Sequence, residues 1–269
     1  MKYSIITINY NDKKGLRQTI ESVINQTYDD FEYIIIDGGS TDGSVDVIKE
    51  YDAQINYWVS EPDKGIYNAM NKGIKKATGE YLNFMNSGDC FYDQHVLSNV
   101  LSYLEADIVH GRYYDRSRQC FPDIMVQVPT MMYFYESSIQ HQSCFIRRSL
   151  FHSKHYDENL QIVSDWKFFL EQIVFQNSSI KFMPVTVVSY EGSGISVSQK
   201  NKLFKEREAV LFKLLPPRVL QDYQRYAGKE SPMIDLIPLF NRTRGLQNLI
   251  IRVVKAILKI YYLFHKKPL

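Results

Sequence analysis

The sequence predicts an α/β fold in which a mostly parallel central sheet is flanked by helices. Two observations predict it. Short, β-branched and almost wholly apolar segments alternate with segments of helical periodicity between residues 3 and 86, and the apolar segments carry too few polar residues to leave one face in water. Strands that alternate with helices pair in parallel through right-handed crossovers. Ligands of such sheets bind beyond the carboxyl ends of the strands, so functional residues are expected there.

Each element of the first half follows from its own pattern. Segment 3–9 (YSIITIN) is β-branched and apolar, as a buried strand requires, and segment 15–26 repeats Leu16, Ile20 and Val23 at helical spacing. The same two patterns recur in order and predict strands at residues 31–37, 55–60 and 80–86 and helices at residues 44–51 and 65–77. The first half is therefore a β-α-β-α-β-α-β series.

The second half is less regular. Its patterns predict helices at residues 95–104 and 164–176 and strands at residues 106–113, 142–148 and 180–190. Residues 114–140 have weak periodicity and two prolines. That stretch is predicted to form loops and short elements over the functional site.

Composition excludes several classes of protein. With 269 residues, 45% of them hydrophobic, the chain can bury a full core and is not disordered, fibrous or a disulfide mini-protein. Its three cysteines lack Cys-x-x-Cys spacing, which indicates neither a disulfide framework nor a structural zinc site. Asn9 interrupts the amino-terminal apolar run too early for a signal peptide, so a cytoplasmic protein is expected. A net charge of +2 does not indicate a nucleic-acid partner.

The turn after the second strand, IIIDGGSTDGS, places a carboxylate and glycines at the carboxyl end of that strand. Asp37 is an acceptor that suits the imide N–H of uracil or the hydroxyl groups of a ribose. The glycines let the backbone turn sharply beside a ligand. The alternative interpretation is that Asp37 only stabilises the turn.

A second polar turn, NSGD, follows the fourth strand, and Asn86 and Asp89 are expected to face the same crevice as Asp37. A carboxylate in such a turn suits Mn²⁺ or Mg²⁺, with a diphosphate and waters as the remaining ligands. The alternative interpretation is that Asp89 caps a helix or a turn.

Several motifs follow one another in a fixed order. They are IITINYN (5–11), ESVINQTY (21–28), IIIDGGSTDGS (34–44), EPDKGIYNAMNKGIKKATGEYLNFMNSGD (61–89) and SDW (164–166). Together they resemble the inverting family 2 glycosyltransferases with a GT-A fold, and most of all bacterial surface-polysaccharide enzymes, including the colanic-acid type. The resemblance covers about residues 1–190 and implies a GT-A catalytic domain over residues 1–195, followed by a helical region over residues 196–269.

The resemblance implies a role for residues in each motif. Thr7, Asn9 and Asp37 would hold the base and ribose of a sugar nucleotide. Asp63 and Lys64 would lie on the nucleotide or diphosphate side. Asn86 would join the nucleotide site and Asp89 the metal site. Where the family commonly has Asp-x-Asp, this chain has Asn86-Ser87-Gly88-Asp89, so only Asp89 keeps a metal-binding carboxylate.

By the same resemblance, Asp165 is the catalytic base. It would deprotonate an acceptor hydroxyl, which then attacks the anomeric carbon from the face opposite the nucleoside diphosphate. A sugar hydroxyl is a poor nucleophile, and a positioned base contributes about 10²- to 10⁴-fold. The alternative interpretation is that Ser164 and Asp165 cap the predicted helix. His141 and Gln142 resemble a His-Gln pair that lines the acceptor side of similar enzymes.

The carboxyl-terminal segment differs in charge from the rest of the chain. Residues 241–269 carry seven Lys or Arg and no Asp or Glu, which leaves 25 basic and 30 acidic residues before them, a net charge of −5. In a predicted helix over residues 246–264, Arg252, Lys255 and Lys259 fall in one sector about 60° wide on an otherwise apolar surface. This pattern favours a helix lying in an anionic membrane surface. The alternative is a helix that packs on the protein body or on a second subunit.

The sequence therefore predicts an inverting glycosyltransferase on the inner face of a membrane. It would move one sugar from a nucleotide donor, with UDP favoured, to a glycan acceptor on a polyprenyl lipid during synthesis of a cell-surface polysaccharide. Two alternatives remain open. One is a sugar-1-phosphate nucleotidyltransferase, which would need a Gly-rich basic loop after the first strand; the other is a non-catalytic membrane scaffold that binds nucleotide.

Overall fold

The computed structural model describes residues 1–121, 128–192, 194–227, 245, 248–249 and 251–257. The chain divides into two compact units, Met1–Leu211 and Phe212–Leu269. The first unit contains the sheet and the cavity at its edge.

The described strands are β1 (Tyr3–Asn9), β2 (Phe31–Asp37), β3 (Tyr57–Ser60), β4 (Tyr81–Phe84), β5 (Cys90–Phe91), β6 (Ile108–Asp115), β7 (Cys144–Arg147) and β8 (Ile180–Tyr190). The described helices are α1 (Lys13–Ile24), α2 (Ser44–Glu50), α3 (Ile66–Lys76), α4 (Val96–Val100), α5 (Met131–Glu136), α6 (Ser164–Phe169), α7 (Ile195–Ser198), α8 (Lys200–Leu214) and α9 (Pro217–Ala227).

The strands form one sheet in the order β3-β2-β1-β4-β7-β6-β8-β5. The first four strands of this order are mutually parallel, β7 is antiparallel to both of its neighbours, and β6 and β8 are parallel. In the register of β1 and β2, Asn9 lies opposite Asp37, the last residue of each strand. The crossovers thus bring the polar ends of the parallel strands to one edge, as the sequence predicts.

The position of β1 within the core explains why its sequence is almost wholly apolar. Every residue of β1 is buried, and in β2 only Phe31 is partly exposed. Helix α1 packs Leu16, Ile20 and Val23 into this core, each with no exposed surface. The prediction that the first two strands are covered on both faces is confirmed.

Most predicted elements are present with bounds shifted by a few residues. Predicted segments 3–9, 31–37 and 180–190 coincide with β1, β2 and β8. The helix predicted at residues 164–176 is α6, continued by a π-helical segment, Leu170–Phe175. Helix α5 is a short element of the stretch predicted as loops over the site.

A buried carboxylate fixes the edge of the sheet opposite the cavity. Glu32 on β2 accepts hydrogen bonds from the Ser4 hydroxyl at 2.5 Å and from the backbone N–H groups of Thr78 and Gly79 at 2.5 and 3.0 Å. Burial raises the pKa of Glu32, but these hydrogen bonds outweigh burial and hold the pKa below its usual value. The ionised group therefore ties β1 and β2 to the turn before β4.

In the second unit, residues 251–257 are helical and exposed. The exposed side chains include Ile251, Val253, Val254 and Ile257. The rest of the predicted helix 246–264 lies outside the described residues, except for residues 248 and 249. Within the described parts of the chain, no helix combines the length and the apolar character needed to cross a membrane.

Candidate active site

The carboxyl ends of the parallel strands open into a cavity of about 1040 Å³. Seven of the predicted site residues line it: Asn9, Asp63, Asn86, Asp89, His141, Gln142 and Asp165. Three others, Thr7, Asp37 and Lys64, do not line it. The structure thus brings residues from both halves of the chain to one cavity.

Asp37 is fully buried, does not line the cavity, and positions Asn9, which does. The Asn9 amide donates to Asp37 at 2.7 Å, and the Asn9 carbonyl oxygen accepts from Ser87 at 2.8 Å. Asp37 also accepts from the backbone N–H of Ser40 at 2.9 Å and from the Ser60 hydroxyl at 2.6 Å. Burial raises the pKa of Asp37, but these hydrogen bonds hold it below its usual value. Asp37 stabilises its turn, as the alternative interpretation stated, and also fixes Asn9.

The other residues assigned to the nucleotide side differ in whether they reach the cavity. Thr7 is fully buried, and its hydroxyl lies 3.0 Å from the Tyr33 hydroxyl, so it does not reach the cavity. Lys64 is exposed outside the cavity wall. Asp63 lines the cavity and accepts from the backbone N–H of Gly65 at 2.8 Å. A β-carbon on Gly38 would lie 2.6 Å from the Asp63 carboxylate, so glycine permits the close approach of these two loops.

Asp89 is a buried carboxylate with 4% exposure. Its oxygens accept from the backbone N–H of Glu191 at 2.9 Å and from the side-chain amide of Gln142 at 2.8 Å. Burial raises the Asp89 pKa from 3.8 to about 6, although both hydrogen bonds act in the opposite direction. Both partners are distant in sequence, so the Asp89 side chain connects segments and does not act as a local cap.

Asp165 is held by two side chains. His141 Nδ1 lies 2.7 Å from one carboxylate oxygen, and the Tyr67 hydroxyl donates to the other at 2.8 Å. Burial raises the Asp165 pKa, but hydrogen bonding to His141 and Tyr67 outweighs burial and lowers it. The N-cap residue of α6 makes no side-chain hydrogen bond. Asp165 also interacts with the backbone of Trp166 in the first turn of α6, but because both of its oxygens contact side chains outside the helix, capping alone does not account for this residue.

Two neighbouring residues link the carboxylates of the cavity. Gln142 contacts Asp89 and His141 contacts Asp165. His141 Nε2 in turn lies 3.1 Å from the Asn86 amide nitrogen, which can donate to it when Nδ1 carries the ring proton. The His-Gln pair therefore organises the cavity between the ends of β4 and α6.

Some cavity residues were not predicted. Tyr67 lies on α3, where its apolar spacing indicates only a core position. Arg207 on α8 and Trp166 on α6 also line the cavity. The SDW motif includes Trp166, but no local pattern links it to Arg207, which lies far along the chain. These contacts arise from packing between distant helices.

Solved structures share this fold. S. aureus TarS has a TM-score of 0.67 at 18% identity over 88% of this chain and 45% of that chain. A TarS structure in complex with UDP-GlcNAc has a TM-score of 0.63 at 20% identity, covering 74% of this chain and 61% of that one. The mannosyltransferase PcManGT from Pyrobaculum calidifontis, in complex with GDP-Man and Mn²⁺, has a TM-score of 0.66 at 14% identity over 98% of this chain and 81% of that one. The fold is therefore that of GT-A glycosyltransferases.

Sequence comparison narrows this class. Residues 4–153 match the family model described as glycosyl transferase family 2. A PGL/p-HBAD biosynthesis glycosyltransferase of Mycobacterium bovis is 30% identical over 216 residues, 76% of this chain and 83% of the relative. The chain is a glycosyltransferase, and it belongs to glycosyl transferase family 2.

Proposed function

We propose that this enzyme transfers one sugar, with inversion, from a nucleotide donor to a hydroxyl group of a glycan. The observation that carries the proposal is that Asp165 lines the same cavity as Asn9 and Asp63. The proposed carboxylate base and residues assigned to the nucleotide thus line one cavity, in which a donor and an acceptor could meet. Structural neighbours solved with UDP-GlcNAc and GDP-Man support a nucleotide-sugar donor, and buried Asp37 would act on that donor indirectly, by holding Asn9 in the cavity wall.

In the proposed reaction, Asp165 accepts the proton of the acceptor hydroxyl as its oxygen bonds to the anomeric carbon. The bond between that carbon and the phosphate oxygen breaks, and its electron pair leaves with the nucleoside diphosphate. Attack from the opposite face inverts the anomeric configuration. His141 and Tyr67 orient the base, and the lowered Asp165 pKa keeps it ionised at neutral pH.

The protein's share of a Mg²⁺ or Mn²⁺ site is Asp89 with Asn86. Asn86 Oδ1 is buried without a hydrogen-bond partner, and a nearby cation would favour ionised Asp89. No group of three or more His, Cys, Asp or Glu among the described residues could hold a metal. Because Asp89 and the unpartnered Asn86 Oδ1 are two oxygen ligands, they would fit a magnesium-type site that donor phosphates and water complete. Such an ion would neutralise charge on the leaving diphosphate.

Nucleotide titration by calorimetry tests the donor site. UDP is expected to bind more tightly than GDP or dTDP. Asp37→Asn should weaken UDP binding by about tenfold or more, because an amide cannot accept all the hydrogen bonds that Asp37 accepts from Asn9, Ser40 and Ser60, and Asn9 would lose its support. Asp46→Asn, an exposed change in the first turn of α2, is the matched control. Equal UDP affinity in wild type and Asp37→Asn would contradict this role, and UDP binding without sugar transfer would favour the scaffold alternative.

We further propose that the acceptor is carried by a polyprenyl lipid for a cell-surface polysaccharide, and that the carboxyl-terminal helix holds the enzyme at the inner face of the membrane. The basic composition of residues 241–269 and the exposed apolar residues of 251–257 support this proposal. Holding the enzyme at the surface raises its effective concentration near a lipid-borne acceptor.

Vesicle co-sedimentation tests the membrane contact. The full chain should pellet with phosphatidylglycerol vesicles and remain in solution with phosphatidylcholine vesicles. Replacing Arg252, Lys255 and Lys259 by Gln should abolish pelleting, since each basic residue near an anionic surface contributes about 1 kcal/mol. The same change in charge at Lys200, Lys205 and Lys213, on the exposed surface of α8, is the control. Equal loss of pelleting in both triple variants would show that the net charge of the chain, and not the carboxyl-terminal helix, is responsible for vesicle binding.

A further inference from the structure

Arg207 is a cation in the cavity wall that forms no ion pair with a described residue, although Asp165 is near enough to attract it. Its side chain is half-buried, and its Nε is buried without a hydrogen-bond partner. Burying a cation whose N–H donors are unpaired destabilises a protein unless an anion binds to it.

The guanidinium group is held in place by a fixed aromatic ring. Its central carbon lies 5.0 Å from the centre of the Trp166 ring, a cation–π distance. Trp166 is 1% exposed, and its indole N–H donates to the backbone oxygen of Phe134 at 2.9 Å. The ring is therefore rigid, and Arg207 is presented to the cavity in a defined position.

The position of Arg207 associates it with the acceptor. It stacks on the residue next to Asp165, whose two oxygens are already engaged by His141 and Tyr67. The groups assigned to the nucleotide come from other elements: the end of β1, the loop before α3 and the turn after β4. Because the acceptor hydroxyl must reach Asp165, a group bound at Arg207 belongs to the acceptor.

We propose that Arg207, stacked on Trp166, forms a subsite for a phosphate or carboxylate group of the acceptor. The proposal rests on the function proposed above. A planar guanidinium with several N–H donors matches either anion in a bidentate manner. The acceptor would thus be an anionic glycan, with its charged group close to the hydroxyl that attacks.

The test uses defined probes on the full chain saturated with UDP, so that the donor site is filled. Glucose 6-phosphate, glucuronate and glucose are titrated by calorimetry into wild type, Arg207→Gln and Arg207→Lys. Wild type should bind at least one of the two anions and not glucose, and the tighter anion identifies the chemical group. Arg207→Gln should weaken that binding by about tenfold or more, and Arg207→Lys by less.

Two controls make the outcome specific. Lys205→Gln removes an exposed charge from the same helix and should leave anion binding unchanged. UDP affinity should be equal in all variants, which also shows that they are folded. If Arg207→Gln weakens UDP binding instead, Arg207 serves the donor diphosphate and the proposal is overturned. If wild type binds UDP but neither anion, the subsite alone fails; if it binds no nucleotide, the proposed function fails, and the acceptor assignment with it.

Discussion

Asp165→Asn is expected to lower kcat for sugar transfer by about 10²- to 10⁴-fold, the usual contribution of a positioned base. The amide has nearly the same shape as the carboxylate but cannot accept the proton of the acceptor hydroxyl. UDP affinity should not change, because the groups assigned to the nucleotide lie on other elements. Transfer kinetics with saturating donor, together with calorimetry for UDP, measure the two effects separately.

The matched control is Asp46→Asn, which also changes an acidic residue in the first turn of a helix but lies on the surface. A second comparison is Tyr67→Phe, which removes one hydrogen bond to Asp165 and leaves the carboxylate in place. Its effect on kcat should be smaller than that of Asp165→Asn, since Tyr67 orients the base without accepting the proton. Normal kcat in Asp165→Asn would exclude Asp165 as the base.

Sequence reasoning located the parallel part of the sheet well because its signals are local. The run YSIITIN is buried on both faces over its whole length and coincides with β1. Strand β5 has two residues, Cys90 and Phe91, too few to show any periodicity. Its pairing with β8 depends on contacts between segments far apart in the chain. Local pattern cannot encode such pairings.

In the candidate site too, local sequence patterns locate some residues, and contacts between distant segments create the rest. Asn9 is the last residue of β1 and Asp89 follows β4; since both strands are parallel, the topology brings these residues to one edge. Thr7 lies two residues before Asn9 on the same face of β1, but deeper in the sheet, where Tyr33 covers it. The contact between Tyr67 and Asp165 joins residues 98 positions apart. Such a contact follows from how α3 and α6 pack, which no spacing in the sequence predicts.

Asp89→Asn is expected to abolish most transfer activity and to change how stability depends on pH. The buried wild-type carboxyl has a pKa of about 6, above the value of 3.8 for the unfolded chain. Folding therefore favours the protonated form. The stability contributed by this group is full below about pH 4 and is lost as the pH rises through about 6.

The free energy of unfolding of wild type relative to Asp89→Asn should therefore fall between pH 4 and pH 8. The difference between a pKa of about 6 in the folded protein and 3.8 in the unfolded chain corresponds to about 3 kcal/mol. Denaturant titrations of both proteins at several pH values measure this difference, in which the other titrating groups largely cancel. Glu32→Gln is an internal control of opposite sign, because the lowered Glu32 pKa gives stability that is lost as the pH falls.

Ligand binding should oppose the loss of stability that wild type undergoes as the pH rises. Mg²⁺ together with UDP would favour ionised Asp89, so at pH 8 the pair should raise the melting temperature of wild type more than that of Asp89→Asn. Transfer should also fall in Asp89→Asn, since the variant lacks the carboxylate that a cation between protein and diphosphate requires. A pH-independent stability difference would show that Asp89 ionises equally in the folded and unfolded chain. Equal responses of both proteins to Mg²⁺ and UDP would place the cation elsewhere.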